Sequence, residues 1–377
     1  MAYTEVDPKS HFDVKAYEGS SSTKTISGVG FKPDIVWTKD RTEANDWGCY
    51  DSSRGVGKWL KFNETDSQNG VTDITATATS LASFTSDGFT ISTMSAEPIG
   101  NKNGNYFLSY MFKANGATKV TNNAGANGAS IASVYQANTT SGVSIIEYTG
   151  TGSAGTLAHG LGIAPKCIMI KRLNAAEGWQ VYHGSKTVNS APETDYYEIN
   201  TNAGAADNAN RWNDTAPTTA VFSIGTHAGL NTNGSTYVAY CFAQKNGFSS
   251  MGAYTGVADN ADGPFLYTGF KPAMVIIKRS DGAESWQIAT TESADVIATN
   301  ATEKGDPGRQ GNLTEQKLVM NLPTAENASS GDMDIYSTGF KLRDTDGIHN
   351  YTNYEYIYIA FAKASIVGTN GQVANAY

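Results

Sequence analysis

The sequence predicts an all-β protein made of three tandem antiparallel β-sandwich modules of jelly-roll type. Three observations carry that prediction. Gly supplies 39 of 377 residues, and Ser, Thr and Asn crowd between the apolar runs, a mixture that favours turns and strands over helices. The stretch GFKPDIVWTKD (30–40) returns as GIAPKCIMIKR (162–172) and as GFKPAMVIIKR (269–279). Each copy is followed by short apolar runs separated by Gly, Asn and Asp, five to eight of them in each stretch of roughly 100–115 residues, which is the spacing of a sandwich.

The repeat fixes the modules. From the prolines Pro33, Pro165 and Pro272, a tryptophan lies fourteen residues on in every copy: Trp47, Trp179 and Trp286. A Tyr-x-Gly turn begins 16, 17 or 18 residues earlier, at Tyr17, Tyr148 and Tyr254. Each copy closes on an aromatic segment, with Phe112, Phe242 and Phe361 falling 79, 77 and 89 residues after the proline. The chain divides into an N-terminal arm (1–11), repeat 1 (12–114), a linker (115–141), repeat 2 (142–247), repeat 3 (248–364) and a C-terminal tail (365–377). The Gly/Ala/Asn/Thr-rich linker, with room for one short strand at SIASVY, predicts a tethered first repeat, while the three-residue joint KNG predicts that repeats 2 and 3 pack together. The expected molecule is a string of lobes.

Within a repeat, IVW, CIMI and MVII read as strands buried on both faces, each with a proline at its first residue and a lysine ending the buried run. Proline to tryptophan reads strand, polar turn, strand, which is a hairpin. The closing segments alternate two apolar faces, as central strands do. A small closed barrel is the alternative architecture.

Chemistry is sparse. A net charge of −9 and the lack of any Lys/Arg run disfavour nucleic acid and anionic membranes. No stretch approaches the ~18 apolar residues of a spanning helix. The polar start MAYTEVDPKSHF has no apolar centre and is not a secretory signal. Cys49, Cys167 and Cys241 have neither metal nor redox spacing and read as buried thiols. GTGSAG (150–155) matches a dinucleotide fingerprint, but turn-rich sequence follows where a helix is needed, so it reads as a turn. The five histidines form no i, i+4 pair. The acidic turns at Asp259/Asp262, Asp332/Asp334 and Asp344/Asp346 lack a full calcium-loop register and read as solvated turns. No catalytic, cofactor or metal residue is assigned. The repeat tryptophans read as core. Trp212 in NRWNDT, Trp59 in VGKWLKF, and Tyr351 and Tyr354 in HNYTNYEY are the candidate ligand contacts, because binding groups tend to sit on loops of a rigid scaffold.

The opening YTEVDPKSHFDVKAYEGSSSTKTISGVGFKPDIVWTKDR, the middle AHGLGIAPKCIMIKR with GWQVYHGS and STYVAYCFA, and the closing YTGFKPAMVIIKR with YEYIYIAFAK resemble a repeat family of virion proteins of tailed, marine-type phages. The likeness extends over essentially the whole chain. It departs from the pattern between Trp286 and Leu318, where TNATEKGDPGRQGNLTEQ is inserted. The resemblance implies a non-enzymatic virion part assembled in the host cytoplasm, as a tail fibre or receptor-binding appendage. Its implied partners are other virion proteins, a host-surface glycan or protein, and further copies of itself, a trimer being the usual fibre state. A capsid decoration or head-fibre protein is the first alternative, and a carbohydrate-binding module or glycosidase the second. The resemblance brings no site residues with it.

Overall fold

The computed structural model describes residues 6–68, 81–92, 99–185, 191–291, 316–328 and 333–365. Among the described residues the regular structure is almost wholly antiparallel sheet, and no sheet closes into a barrel. In repeat 1 the strands are β1 (Phe12–Glu18), β2 (Lys24–Ile26), β3 (Ile35–Asp40), β4 (Gly48–Asp51), β5 (Leu81–Thr85), β6 (Gly88–Ile91) and β7 (Tyr106–Phe112). Two more, β8 (Val120–Asn122) and β9 (Ser133–Asn138), precede repeat 2. Repeat 2 has β10 (Val143–Thr149), β11 (Gly155–Ala158), β12 (Cys167–Arg172), β13 (Gln180–His183), β14 (Asp195–Glu198), β15 (Ala206–Asp207), β16 (Val221–Ile224), the single-turn helix α1 (Ala228–Asn231) and β17 (Thr236–Phe242). Repeat 3 has β18 (Ser249–Thr255), β19 (Phe265–Tyr267), β20 (Phe270–Arg279), β21 (Gln287–Thr290), β22 (Gln316–Val319), β23 (Asn327–Ala328), β24 (Met333–Tyr336), β25 (Gly339–Leu342) and β26 (Glu355–Ser365).

One strand order recurs. The large sheets contain β1-β7-β3-β4, β10-β17-β12-β13 and β18-β26-β20-β21, that is, first, last, third and fourth strand of each repeat. The second strand instead pairs with the penultimate one in a small sheet, as β2-β6-β5, β11-β16 and β19-β25-β24. The proline-to-tryptophan hairpins are present as β3–β4, β12–β13 and β20–β21, and the closing strands are central. Pro33 and Pro165 precede their strands, but Pro272 lies inside β20, where the ladder shifts register on either side of it. A bulge accommodates the missing N–H there.

Alternation explains the continuous apolar runs. Val36, Ile168/Ile170 and Val275/Ile277 face the small sheet of their own repeat, each across a separate apolar cluster. Ile35/Trp37, Cys167/Met169 and Met274/Ile276 face the other way, into one core common to all three repeats. At its centre Phe112, Phe242 and Phe361 meet with ring centroids 5.5, 5.0 and 5.7 Å apart, and Phe12 adds a fourth ring 5.3 Å from Phe361. The string-of-lobes expectation is therefore corrected: the repeats share their largest hydrophobic surface.

The same correction applies to the linker. Residues 115–141 contribute β8 and β9, which extend the sheet beyond β10 in the order β10-β9-β8. Asp34 accepts hydrogen bonds from the amides of Ala114 (2.8 Å), Gly116 (2.8 Å) and Ala117 (3.0 Å), and Gln136 reaches Ser52 and Ser53 at 2.9 and 2.8 Å. Low apolar content suggested a tether, but buried side-chain hydrogen bonds fix the segment instead. Residues 6–11 of the N-terminal arm are also docked, with Val6 in the common core and His11 edge-on to Phe248.

Polar contacts close the three repeats into a ring. Indole N–H groups cross each boundary: Trp47 to Val319 O (2.7 Å), Trp179 to Lys61 O (2.7 Å) and Trp286 to Glu198 O (3.1 Å). The backbone N–H of each tryptophan is in turn held by an asparagine, Asn63, Asn200 or Asn321. The lysines expected to end the buried runs are fully buried themselves. Their ammonium groups follow the same circuit, Lys39 to Pro323 O (3.1 Å), Lys171 to Thr65 O (2.9 Å) and Lys278 to Asn202 O (3.2 Å). Burial lowers their pKa values to about 8, 8 and 7, against the pull of neighbouring carboxylates.

Because the core is common, calorimetry should show one unfolding transition for all three repeats; separate transitions would contradict the shared core. Phe242→Ala should lower the stability of the whole molecule by about 3–5 kcal/mol. Lys278 binds its proton more weakly folded than unfolded, so its contribution to stability rises with pH from about 7 towards ~10.4, its unfolded value. The stability difference between wild type and Lys278→Met should grow in favour of wild type from pH 6 to pH 9.5 in urea titrations, and a flat difference would count against a charged-state penalty.

Candidate functional site

Each repeat ends in two loops, one after its first strand and one before its last, and a repeated clasp holds them together. The tyrosine hydroxyls of the Tyr-x-Gly turns donate to carbonyls of the opposite loop: Tyr17 to Gly100 O (2.8 Å), Tyr148 to Leu230 O (2.7 Å) and Tyr254 to His349 O (2.7 Å). The next residue in that loop is a buried asparagine, Asn101, Asn231 or Asn350. Its Oδ1 accepts the amide of Ser20, Thr151 or Val257, and its Nδ2 donates to the carbonyl of Ser22, Ser153 or Asp259. The turn glycine is required by close approach. A Cβ on Gly19, Gly150 or Gly256 would stand 2.1, 2.4 or 2.3 Å from a carbonyl oxygen of the facing loop. Sequence reading found the tyrosine and glycine but missed the asparagine. Its signal is a spacing of eleven residues before the closing phenylalanine in every copy.

The residues beyond the clasp differ between copies, and those of repeat 3 carry the exposed aromatic groups. Tyr351 is 47% exposed and its ring lies 4.7 Å from that of the half-buried Tyr354. The Arg279 guanidinium sits 3.3 Å from the centroid of Tyr354 and is anchored by Asp281 at 2.7 Å. These two predicted contacts thus form one stacked group. On the outward face of β19, Phe265 and Tyr267 are also exposed. Repeats 1 and 2 have Thr25/Thr90 and Thr156/Ser223 on the corresponding strands, Ser223 being buried.

Trp212 and Trp59 are corrected. Trp212 is 1% exposed and packs edge-on to Tyr182, while Trp59 is 7% exposed in the cluster of repeat 1. Polar flanking residues suggested surface loops, but both rings fill apolar layers and are not positioned to meet a ligand. The repeat tryptophans Trp47, Trp179 and Trp286 are core, as expected, and the three cysteines are buried free thiols. GTGSAG runs from the end of β10 into β11, with no helix behind it. The inserted loop after Trp286 falls largely outside the described residues, as do Asp332 and the tail beyond residue 365.

The acidic turns are self-satisfied. Asp259 caps its own turn through the amides of Ala261 and Asp262, and Asp334 pairs with Arg343 at 2.6 Å. Asp344, Asp346 and His349 bring donor atoms within 4.8 Å of one another. His349 Nδ1 lies 2.6 Å from Asp344 Oδ2 and 3.6 Å from Asp346. Burial alone would lower the His349 pKa, but these carboxylates outweigh it and raise it to about 9. The two carboxylates favour the protonated imidazole, and the same three donor groups are near enough to one another to hold a cation. His183 is the opposite case. It is buried between repeats 2 and 3 with Nε2 3.1 Å from Tyr358 O, and burial lowers its pKa to about 4. His11, His159 and His227 are bound to backbone groups of nearby turns.

Residues 7–365 match the family model described as "Domain of unknown function (DUF7483)", and the chain belongs to that family. No curated protein and no solved structure matches it.

The His349 pair stabilises the fold below the ordinary histidine pKa of about 6.5, and that stabilisation is lost as pH rises through about 9. NMR titration of the His349 ring should give a midpoint near 9. A midpoint at or below the ordinary value would show that the carboxylates do not hold the proton.

Proposed function

We propose that this chain is a virion structural protein of a tailed phage, carried on the tail as a fibre or receptor-binding appendage, and that it binds without catalysing. We also infer that its three repeats are β-sandwiches of jelly-roll type, each a large sheet and a small sheet across an apolar layer. One observation carries the reading. The scaffold is repeated down to single hydrogen bonds, in the indole, lysine and clasp contacts, whereas the loop ends beyond the clasp are not. Such a division suits a rigid frame that displays variable contact surfaces. The whole-length resemblance to phage virion repeats supports the same setting, with virion proteins and a host-surface glycan or protein as partners. Attachment through several copies would raise avidity without new contacts. A homotrimer is the expected assembly, and since the ring already joins the three repeats to one another, trimer contacts would use its outer surfaces.

Immunogold labelling of intact particles tests the location. Label on the tail is expected, and label on the capsid would replace this reading with a decoration role. Release of reducing sugar from host polysaccharide by the purified chain would overturn the non-catalytic part.

A further inference from the structure

The small sheet of repeat 3 carries aromatic rings where the other two repeats carry small side chains. The ladders align the three sheets through the pairs Ile26/Phe89, Leu157/Phe222 and Leu266/Phe340. Phe265 then takes the place of Thr25 and Thr156, and Tyr267 that of Ser27 and Ala158. Leu266 packs against the apolar cluster of its repeat, so its two neighbours point the other way. They are 46% and 67% exposed.

The register puts further groups on that outer face. Tyr267 stands opposite Gly339 and Gly339 opposite Tyr336; in the next row Phe265 stands opposite Lys341 and Lys341 opposite Asp334. The glycine leaves the middle of the face open. A Cβ on it would stand 3.1 Å from Phe265 Cζ, and the Phe265 ring lies edge-on to Tyr336 at 5.7 Å. Charged groups frame the rings, two of each sign. Lys341 Nζ lies 3.4 Å from Asp262, whose side chain is 92% exposed. Arg343 joins Asp334 (2.6 Å) to the Tyr336 hydroxyl (3.1 Å). The Tyr267 hydroxyl has no hydrogen-bond partner among the described residues. The backbone adds donors and acceptors at the edge. Pro264 O accepts from Leu342 N and Thr268 N donates to Thr338 O, so residues 264, 266 and 268 turn to β25. The N–H and C=O groups of Phe265 and Tyr267 therefore turn away from it, along the open side of β19.

Size and charge select the occupant. A fully exposed aromatic side chain offers ~150–250 Å², so at their exposures the two rings present on the order of 200 Å². A stable protein interface needs ~800 Å² from each partner. β19 is three residues long, too short a ladder for a peptide to add as a strand. Balanced charges favour neither an anion nor a cation. Flat rings beside carboxylate, ammonium and hydroxyl groups match a sugar, which has an apolar C–H face and a rim of hydroxyls.

We propose that this face binds a neutral saccharide. A sugar ring would lie with its C–H face on Tyr267 and Phe265, and its hydroxyls would meet Asp262, Lys341 and the edge carbonyls of β19. The site gives the recognition role proposed above a ligand class and a place, and its biological use rests on that reading. The two can fail separately. Saccharide binding by the purified chain with label on the capsid would sink only the tail assignment, and label on the tail without such binding would sink only this site.

The test uses the full chain and a panel of glucose, galactose, mannose, N-acetylglucosamine and their disaccharides, read by saturation-transfer NMR. At least one sugar is expected to give transfer at about 10 mM, a weak-affinity regime that the method reaches. Tyr267→Ala and Tyr267→Leu should each weaken that sugar about tenfold, whereas Tyr267→Trp should bind it within about threefold of wild type, because the contact needs a ring face. Asp262→Asn should weaken it about fivefold, since a hydrogen bond to a charged group is among the stronger ones. All four substitutions are at exposed side chains and should leave the melting temperature unchanged. Thr25→Ala, at the position of Phe265 in repeat 1, should change nothing. No transfer from any sugar, or affinities unaltered by both Tyr267→Ala and Asp262→Asn, would overturn the proposal. A dimer in analytical ultracentrifugation that Tyr267→Ala dissolves would also overturn it, because the face would then belong to a second copy.

Discussion

Everything in this molecule depends on three phenylalanines touching. Phe112, Phe242 and Phe361 lie on the central strand of each large sheet, and their mutual contact brings those three sheets face to face. Without that contact each repeat would expose one wall of a sheet that is apolar on both sides, a surface far larger than a soluble domain usually leaves uncovered. The apolar runs are thus continuous for two distinct reasons: alternate residues serve the repeat, and the others serve the assembly of repeats. The polar circuit of tryptophans and lysines then fixes the rotation of one repeat against the next, which apolar packing alone does weakly.

The buried lysines show how specificity is obtained at a cost. An ammonium removed from water loses solvation that carbonyl oxygens only partly return. Here the loss is accepted three times, at equivalent points, where each lysine reads the loop of its neighbour. An apolar side chain would bury as well but could not tell a correct boundary from one slipped by a residue. Arg54 and Asp51 extend the idea at the boundary of repeats 1 and 2. They form a buried ion pair, and Tyr240 of repeat 2 donates to Asp51 at 2.6 Å. A second buried ion pair, Arg41–Glu326 at 2.6 Å, joins repeats 1 and 3, so two of the three related joints carry an ionic lock.

Much of this was legible in the sequence. The repeat, its hairpins, the central closing strands, the core tryptophans and the buried thiols follow from spacing and alternation, which are local properties. What sequence could not supply was distance between residues far apart in the chain. A lysine after an apolar run looks like the return to solvent; only the neighbouring loop makes it interior. Trp59 and Trp212 looked exposed because their neighbours are polar, yet burial is decided by what packs across from a ring. The glycine-rich stretch after Asn115 looked like a tether because its composition is poor in apolar groups, whereas Asp34 and Gln136 hold it by hydrogen bonds. Of the four proposed contacts, the pair in one loop, Tyr351 and Tyr354, stays at the surface.

Closing a ring also sets a timetable. Lys39 and Pro323 are 284 residues apart, so the joint between the first and third repeats cannot form until nearly the whole chain exists. Repeat 1 ends at Phe112, about 250 residues before Phe361, and at ~5–20 residues per second of synthesis the interval is on the order of 12–50 s. Over that time the inward wall of its sheet, with Trp37 and Trp47, has no third partner. The nascent chain must keep that wall from sticking to others, and Lys39 at its end, charged while still in water, is placed to help.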